Sequence, residues 1–158
     1  MKSLRPGSAT RRLHDMPRLL CVEDNDDNWD VAELRLGRAY TIVRAATDRE
    51  ACAALKQTGS FYAVLMDIEL AGSTLNGIQL TRLIRGKLSP AERPDYASDV
   101  PTSEVPILFV SAYGSAYRRA ELLATGANDV LAKPVDFTRL SLALTEFHLG
   151  RLAVRKTP

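Results

Sequence analysis

Five polar residues stand at the ends of apolar runs, and together they could handle a phosphoryl group. Glu23 and Asp24 follow Leu19-Leu20-Cys21-Val22, and Asp67 follows Ala63-Val64-Leu65-Met66. Ser111 follows Ile107-Leu108-Phe109-Val110, and Lys133-Pro134 follows Val130-Leu131-Ala132. Three carboxylates brought together repel one another unless a cation or protons neutralise them. Hard oxygen ligands of this kind suit Mg²⁺, which keeps several waters and completes its shell with phosphate oxygens. With that charge screened, the Asp67 carboxylate can attack phosphorus and form an acyl phosphate. Lys133 supplies a fixed positive charge for phosphoryl oxygens, and the Ser111 hydroxyl can donate to another. Pro134 disfavours helical backbone at Lys133, which helps to aim the lysine back over the strand ends.

Taken singly, each of these residues has a plain structural reading. Asp26, Asp27 or Asn28 can cap a helix, and a serine or a Lys-Pro after a strand makes a turn. The case for a site rests on their joint placement, and that depends on the elements between them. Five short apolar runs (those above and Tyr40-Thr41-Ile42-Val43) alternate with helix-length segments. Several are apolar at both alternating positions, as in strands covered on both faces. Ala51, Ala54 and Leu55 share one helical face, and Leu140, Ala143, Leu144 and Phe147 share another. Gly59, Gly86 and Gly126 fall where helices should stop. This alternation predicts an α/β fold with a parallel sheet and helices on both faces, whose ligands bind beyond the carboxyl ends of the strands.

The segment 87–104 breaks the rhythm, with Pro90, Pro94 and Pro101 and no helical apolar face. It reads as an insertion, either a docking element or a disordered excursion. Residues 1–16 read as a flexible basic tail carrying Lys2, Arg5, Arg11 and Arg12, residues 17–150 as one domain, and residues 151–158 as a short C-terminal tail. The chain of 158 residues carries a net charge of +2, with 46% apolar and 25% charged residues. That near balance, without a basic stripe and interleaved aromatics, gives no sign of nucleic-acid binding. No run approaches the roughly 18 apolar residues of a membrane span, nothing resembles a signal peptide, and a cytoplasmic protein is expected. Cys21 and Cys52 are expected to be buried thiols rather than a bridge or a metal pair. His14 and His148 have no metal-ligand spacing, and His148 is placed at the end of the last helix, where a cation complements the dipole.

With these residues in view, the sequence resembles the response-regulator receiver family, whose model member is the bacterial chemotaxis receiver. The matching stretches are Leu19 to Asp26, Val64 to Leu70, Asn76-Gly77-Ile78, Val110-Ser111-Ala112 and Gly126 to Pro134. The resemblance implies a flavodoxin-like (βα)₅ doubly wound fold with strand order 2-1-3-4-5. It implies phosphorylation at Asp67, with Mg²⁺ bound by Asp24, Asp67 and the backbone carbonyl of Glu69, and by Glu23 through water. Ser111 and Lys133 would sense the phosphoryl group. The implied partners are a sensor histidine kinase or histidine phosphotransfer protein and a downstream protein met through the 113–149 face, with homodimerisation left open. The pattern departs from the family in four places. Glu-Asp replaces the commoner Asp-Asp at 23–24, and the 70–75 turn is longer. The 87–104 segment is enlarged, and Val130 stands where many members have a switching Tyr or Phe. Tyr113 is the nearest aromatic in sequence that could gate Asp67 or join an output face.

The reading is therefore a single-domain response regulator of a two-component phosphorelay, a phosphoprotein that catalyses its own phosphotransfer and is not a metabolic enzyme. A non-phosphorylated interaction scaffold is the alternative, favoured by Val130 and the enlarged loop. A phosphatase of the haloacid-dehalogenase type needs an Asp two residues beyond its nucleophile and a late acidic pair. Glu69 and the early Glu23-Asp24 pair give the wrong order. Neither glycine-rich nucleotide-binding motif occurs.

Overall fold

The computed structural model describes residues 16–57, 59–112 and 116–155, the stretch 151–155 by its backbone alone. Strands β1 (Arg18–Val22), β2 (Thr41–Ala45), β3 (Ala63–Asp67), β4 (Ile107–Ala112) and β5 (Asp129–Lys133) alternate with helices α1 (Asp26–Leu36), α2 (Asp48–Lys56), α3 (Gly77–Ile84), α4 (Arg119–Ala124) and α5 (Phe137–Arg155). All pairings are parallel, in the order β2-β1-β3-β4-β5, as the sequence predicts.

Because side chains alternate across a sheet, each strand feeds two cores. Leu19 and Cys21 of β1, Leu65 of β3, Leu108 of β4 and Leu131 of β5 pack with Leu36 and Leu140 on the α1–α5 side. Leu20, Val22, Val64, Met66 and Phe109 pack with the α2–α4 residues on the other. The predicted helical faces hold: Ala51, Ala54, Leu140, Ala143 and Leu144 are buried, and Leu55 and Phe147 are half-buried. The cap of α1 is Asn25, whose side chain accepts from the Asn28 amide at 2.9 Å, not Asp26, Asp27 or Asn28. Gly86 and Gly126 end α3 and follow α4 at φ of 71° and 113°, where a Cβ would be strained.

The 87–104 insertion is ordered. Two short 3₁₀ turns, Pro90–Glu92 and Asp95–Ala97, bury Leu88 and Ala97 in the core, and Lys56 Nζ donates to the Tyr96 carbonyl. Arg85 fixes its far end, donating to the carbonyls of Ser103 and Val105 at 2.7 Å each. Helix α5 continues past residue 150 to Arg155, so His148 does not end it. Its ring instead lies 4.9 Å from that of Tyr62. The basic tail up to residue 15 and Tyr113 lie outside the described residues.

Candidate functional site

Register places the charged residues at one end of the sheet. Val22 pairs with Met66, so the next residues, Glu23 and Asp67, sit side by side. Asp67 pairs with Val110, and Lys133 pairs with Ala112. By strand parity Glu23, Asp67 and Lys133 follow Cys21, Leu65 and Leu131 onto the α1–α5 side, whereas Ser111 follows Phe109 onto the opposite side. Lys133 reaches back over β4 to place Nζ 3.0 Å from Asp67 Oδ2 and 3.6 Å from Glu23 Oε2. Ligand oxygens of Glu23, Asp24 and Asp67 all lie within 4.8 Å of one another. Ser111 is buried near the end of β4, its hydroxyl donating at a long 3.4 Å to the Ala112 carbonyl. Glu69 lies two residues beyond Asp67 with an exposed side chain.

Neighbouring groups fix the acidic end. Glu23, 6% exposed, accepts from the Asn25 amide at 3.1 Å and from Asn28 Nδ2 at 3.3 Å. Asp24 Oδ2 accepts from the Ala71 amide at 3.0 Å. Arg44, at the end of β2, donates to the carbonyls of Glu23 and Asp24 at 3.2 and 3.4 Å. It also pairs with Asp26 at 2.7 Å and lies over the Trp29 ring. Gly77, the first residue of α3, approaches so closely that a Cβ there would meet the Asp67 carbonyl oxygen at 2.0 Å. Sequence reasoning missed Asn28 as a Glu23 donor and missed Arg44 altogether. The one available signal was an arginine inside an otherwise apolar strand.

Burial raises the Glu23 pKa, the charge of Asp67 raises it further, and Lys133 with the two Asn donors only partly offsets them. Burial works to lower the Lys133 pKa, but the hydrogen bond and charge of Asp67, with the charge of Glu23, outweigh it and raise it overall. Beneath the site a cavity of about 350 Å³ opens between α1 and α5, lined in part by Cys21, Leu65, Ala32 and Leu140. Burial pushes the Cys21 thiol up to about 12, so it stays protonated and offers no thiolate. The donor set is thus three carboxylates faced by one lysine, an all-oxygen, under-neutralised cluster that fits a hard divalent cation such as Mg²⁺.

A five-stranded parallel sheet in this order, with acidic residues at the ends of β1 and β3 and a lysine at the end of β5, defines a receiver-type domain. Residues 19–145 match the response regulator receiver domain, and the chain belongs to that family. The sensor protein GacS of Pseudomonas syringae is 30% identical over 125 residues, 79% of this chain and 13% of that protein. The chain therefore spans only a small part of that relative's length. Among solved structures, the receiver domain of the sensor histidine kinase PA1611 of Pseudomonas aeruginosa is 29% identical at a TM-score of 0.63. The match covers 83% of this chain and 96% of that one, and that structure has a magnesium ion coordinated in the active-site cleft. The receiver domain of Ssk1 of Saccharomyces cerevisiae, solved with the histidine phosphotransfer protein Ypd1, is 28% identical at a TM-score of 0.63. That match covers 83% of this chain and 88% of that one. Among the described residues no helix is long and apolar enough to cross a membrane.

Proposed function

We propose that this receiver domain takes a phosphoryl group on Asp67 from a histidine kinase or a histidine phosphotransfer protein. The observation that carries the reading is the meeting of Glu23, Asp24 and Asp67 within 4.8 Å under the ammonium of Lys133. Asp24, Asp67 and the backbone carbonyl of Glu69 would hold Mg²⁺, with Glu23 acting through water. Bound there, the ion supplies charge screening between carboxylate and phosphoryl oxygens.

An oxygen of Asp67 attacks the phosphorus of a phosphohistidine. The new O–P bond forms as the P–N bond to the imidazole breaks, and the ring leaves with the electron pair. Lys133, now paired with Asp67, follows the charge onto the phosphoryl oxygens. Ser111 exchanges its long contact with Ala112 for one of those oxygens. Output runs through protein contacts on the 113–149 face. The alternative, a scaffold that is never phosphorylated, draws on Val130 at the position of the switching ring.

Acetyl phosphate with Mg²⁺ separates the two. Intact mass should rise by one phosphoryl group in the wild type and stay unchanged in Asp67→Asn. A wild type that gains no mass, and whose amide spectrum is unmoved by beryllium fluoride, sinks the phospho-acceptor reading.

A further inference from the structure

Two of the places where this sequence departs from its family, the long turn after Asp67 and the 87–104 insertion, meet at one buried side chain. Asp48, the first residue of α2, is 2% exposed and takes no part in the acidic cluster. Its Oδ2 accepts from the Leu75 amide at 2.9 Å and from the Tyr96 hydroxyl, and its own amide donates to Ser73 Oγ at 3.0 Å. The Arg49 guanidinium covers the Tyr96 ring at 4.2 Å, and Lys56 holds its carbonyl, so the phenol is fixed from three sides.

The turn held in this way runs from Leu70 to Asn76, with Leu70 and Leu75 buried on either side of the tip 71–74. At the near end of that tip the Ala71 amide donates to Asp24 Oδ2 at 3.0 Å. A continuous path therefore joins the insertion to a residue of the acidic cluster: Tyr96 to Asp48, Asp48 to Ser73 and Leu75, and Ala71 to Asp24. Each step is a hydrogen bond or a short stretch of backbone pinned at both ends.

We propose that Asp48 and Tyr96 are positioning residues for the phospho-acceptor centre, through which the 87–104 insertion sets the orientation of the Asp24 carboxylate towards its cation. The inference rests on the reading of Asp24 as a cation ligand. Without the Tyr96 hydroxyl, Asp48 keeps only backbone donors, the 71–74 tip loosens, and Asp24 must be ordered at the moment of binding. Coupling of this kind is reciprocal, so cation binding also tightens the insertion.

The test uses the chain's sole tryptophan, Trp29, which lies under the Arg44 guanidinium that holds the Glu23 and Asp24 carbonyls. Titration of Trp29 fluorescence with MgCl₂ should give an apparent Kd about three- to tenfold weaker in Tyr96→Phe, since only part of the loss of one hydrogen bond to a charged acceptor reaches the cation through the turn. Asp48→Asn should weaken binding by a similar factor. Ser98→Ala, which removes a contact local to the insertion, should leave it unchanged. In the metal-free state, amide exchange at Ala71 should accelerate in both positioning variants. In phosphorylation by acetyl phosphate, the Mg²⁺ concentration for half-maximal rate should rise while the rate at saturating Mg²⁺ holds, a split that general loosening of the fold would not give. Wild-type Mg²⁺ affinity and unchanged Ala71 exchange in folded Tyr96→Phe and Asp48→Asn overturn the inference and leave the phospho-acceptor reading standing. A wild type that binds no Mg²⁺ overturns both. A wild type that binds Mg²⁺ with the predicted dependence on Tyr96, yet accepts no phosphoryl group, overturns the phospho-acceptor reading alone.

Discussion

Neutralising Asp24 should make the metal-free protein more stable, the reverse of the usual result of removing a charged residue from a hydrogen-bonded site. Its ligand oxygen lies within 4.8 Å of those of both Glu23 and Asp67. At that separation two like charges repel by about 3.5 kcal/mol at an effective dielectric of about 20 and by about 0.9 kcal/mol in water. Asp24 and Asp67 are half-buried, so the true figure lies between these limits. Lys133 makes its close contacts with Asp67 and Glu23, and both contacts survive the change. Asparagine keeps an oxygen for the Ala71 amide, so that hydrogen bond is not lost. Relief of two repulsive pairs, less the hydration that the Asp24 charge now enjoys, leaves a gain of about 2 kcal/mol, or about 4–8 °C in Tm for a chain of this size. Saturating Mg²⁺ should then raise the Tm of the wild type and have little effect on Asp24→Asn, so that the order of the two melting curves draws together or inverts. Thermal denaturation followed by circular dichroism, in EDTA and in Mg²⁺, measures all four values. A lower Tm for Asp24→Asn in EDTA, or a Mg²⁺ increment equal to that of the wild type, refutes the reasoning.

Gly77→Ala should lower stability by about 2 kcal/mol and slow phosphorylation, because the new Cβ would sit 2.0 Å from the Asp67 carbonyl oxygen and must displace the acceptor's own backbone; urea denaturation and the acetyl-phosphate assay check the two effects. The raised Glu23 pKa means that the folded state holds this proton more tightly than the unfolded chain, so its contribution is fully present below the ordinary value of 4.5 and is lost as pH rises through the folded value. In EDTA the Tm advantage of Glu23→Gln over wild type should therefore grow from acid towards neutral pH, and a pH-independent difference would contradict the assignment. Burial holds the Cys21 and Cys52 thiols at about 12 and about 11, so at pH 8 a disulfide reagent should label them only as fast as the protein unfolds; rapid labelling of native protein would show an accessible thiolate.

The strands are legible because a parallel strand covered on both faces writes an unbroken apolar run, and the polar residue that ends the run is conspicuous. That is why Glu23, Asp24, Asp67, Ser111 and Lys133 stand out in the sequence itself. Residues that act through backbone atoms write no such signal. Arg44 holds the Glu23 and Asp24 carbonyls across some twenty residues of chain, and Asp48 looks like any acidic residue in the first turn of a helix. The order of the 87–104 segment is hidden for a related reason. It is anchored by a few buried points (Leu88, Ala97 and the Tyr96 hydroxyl) rather than by a periodic face, and its prolines favour the 3₁₀ turns that carry them. Local competition decides the cap of α1: among Asn25, Asp26, Asp27 and Asn28 only the first lies one residue outside the helix with extended backbone, φ −88° and ψ 123°. His148 falls short of the end of α5 because Gly150, which reads as a helix stop in the sequence, is carried inside a helix that continues to Arg155.

Strand parity divides the site in a way that bears on how its state is reported. Glu23, Asp67 and Lys133 face α1 and α5, while Ser111 faces the side where Val130 and Tyr117 pack against the core. A move of Ser111 towards Asp67 thus vacates space on the α2–α4 side, and Val130, whose carbonyl is held by Arg119 at 3.1 Å, is too small to sweep into it as a ring would. Aliphatic packing accommodates such a change through many small shifts and transmits little direction. The polar path through Ala71, Asp48 and Tyr96 behaves differently, since hydrogen bonds to a buried carboxylate are made or broken as units. On the reading proposed for Asp48 and Tyr96, the long turn and the insertion give the acidic cluster a directional polar support, while Val130 offers the Ser111 side only aliphatic packing.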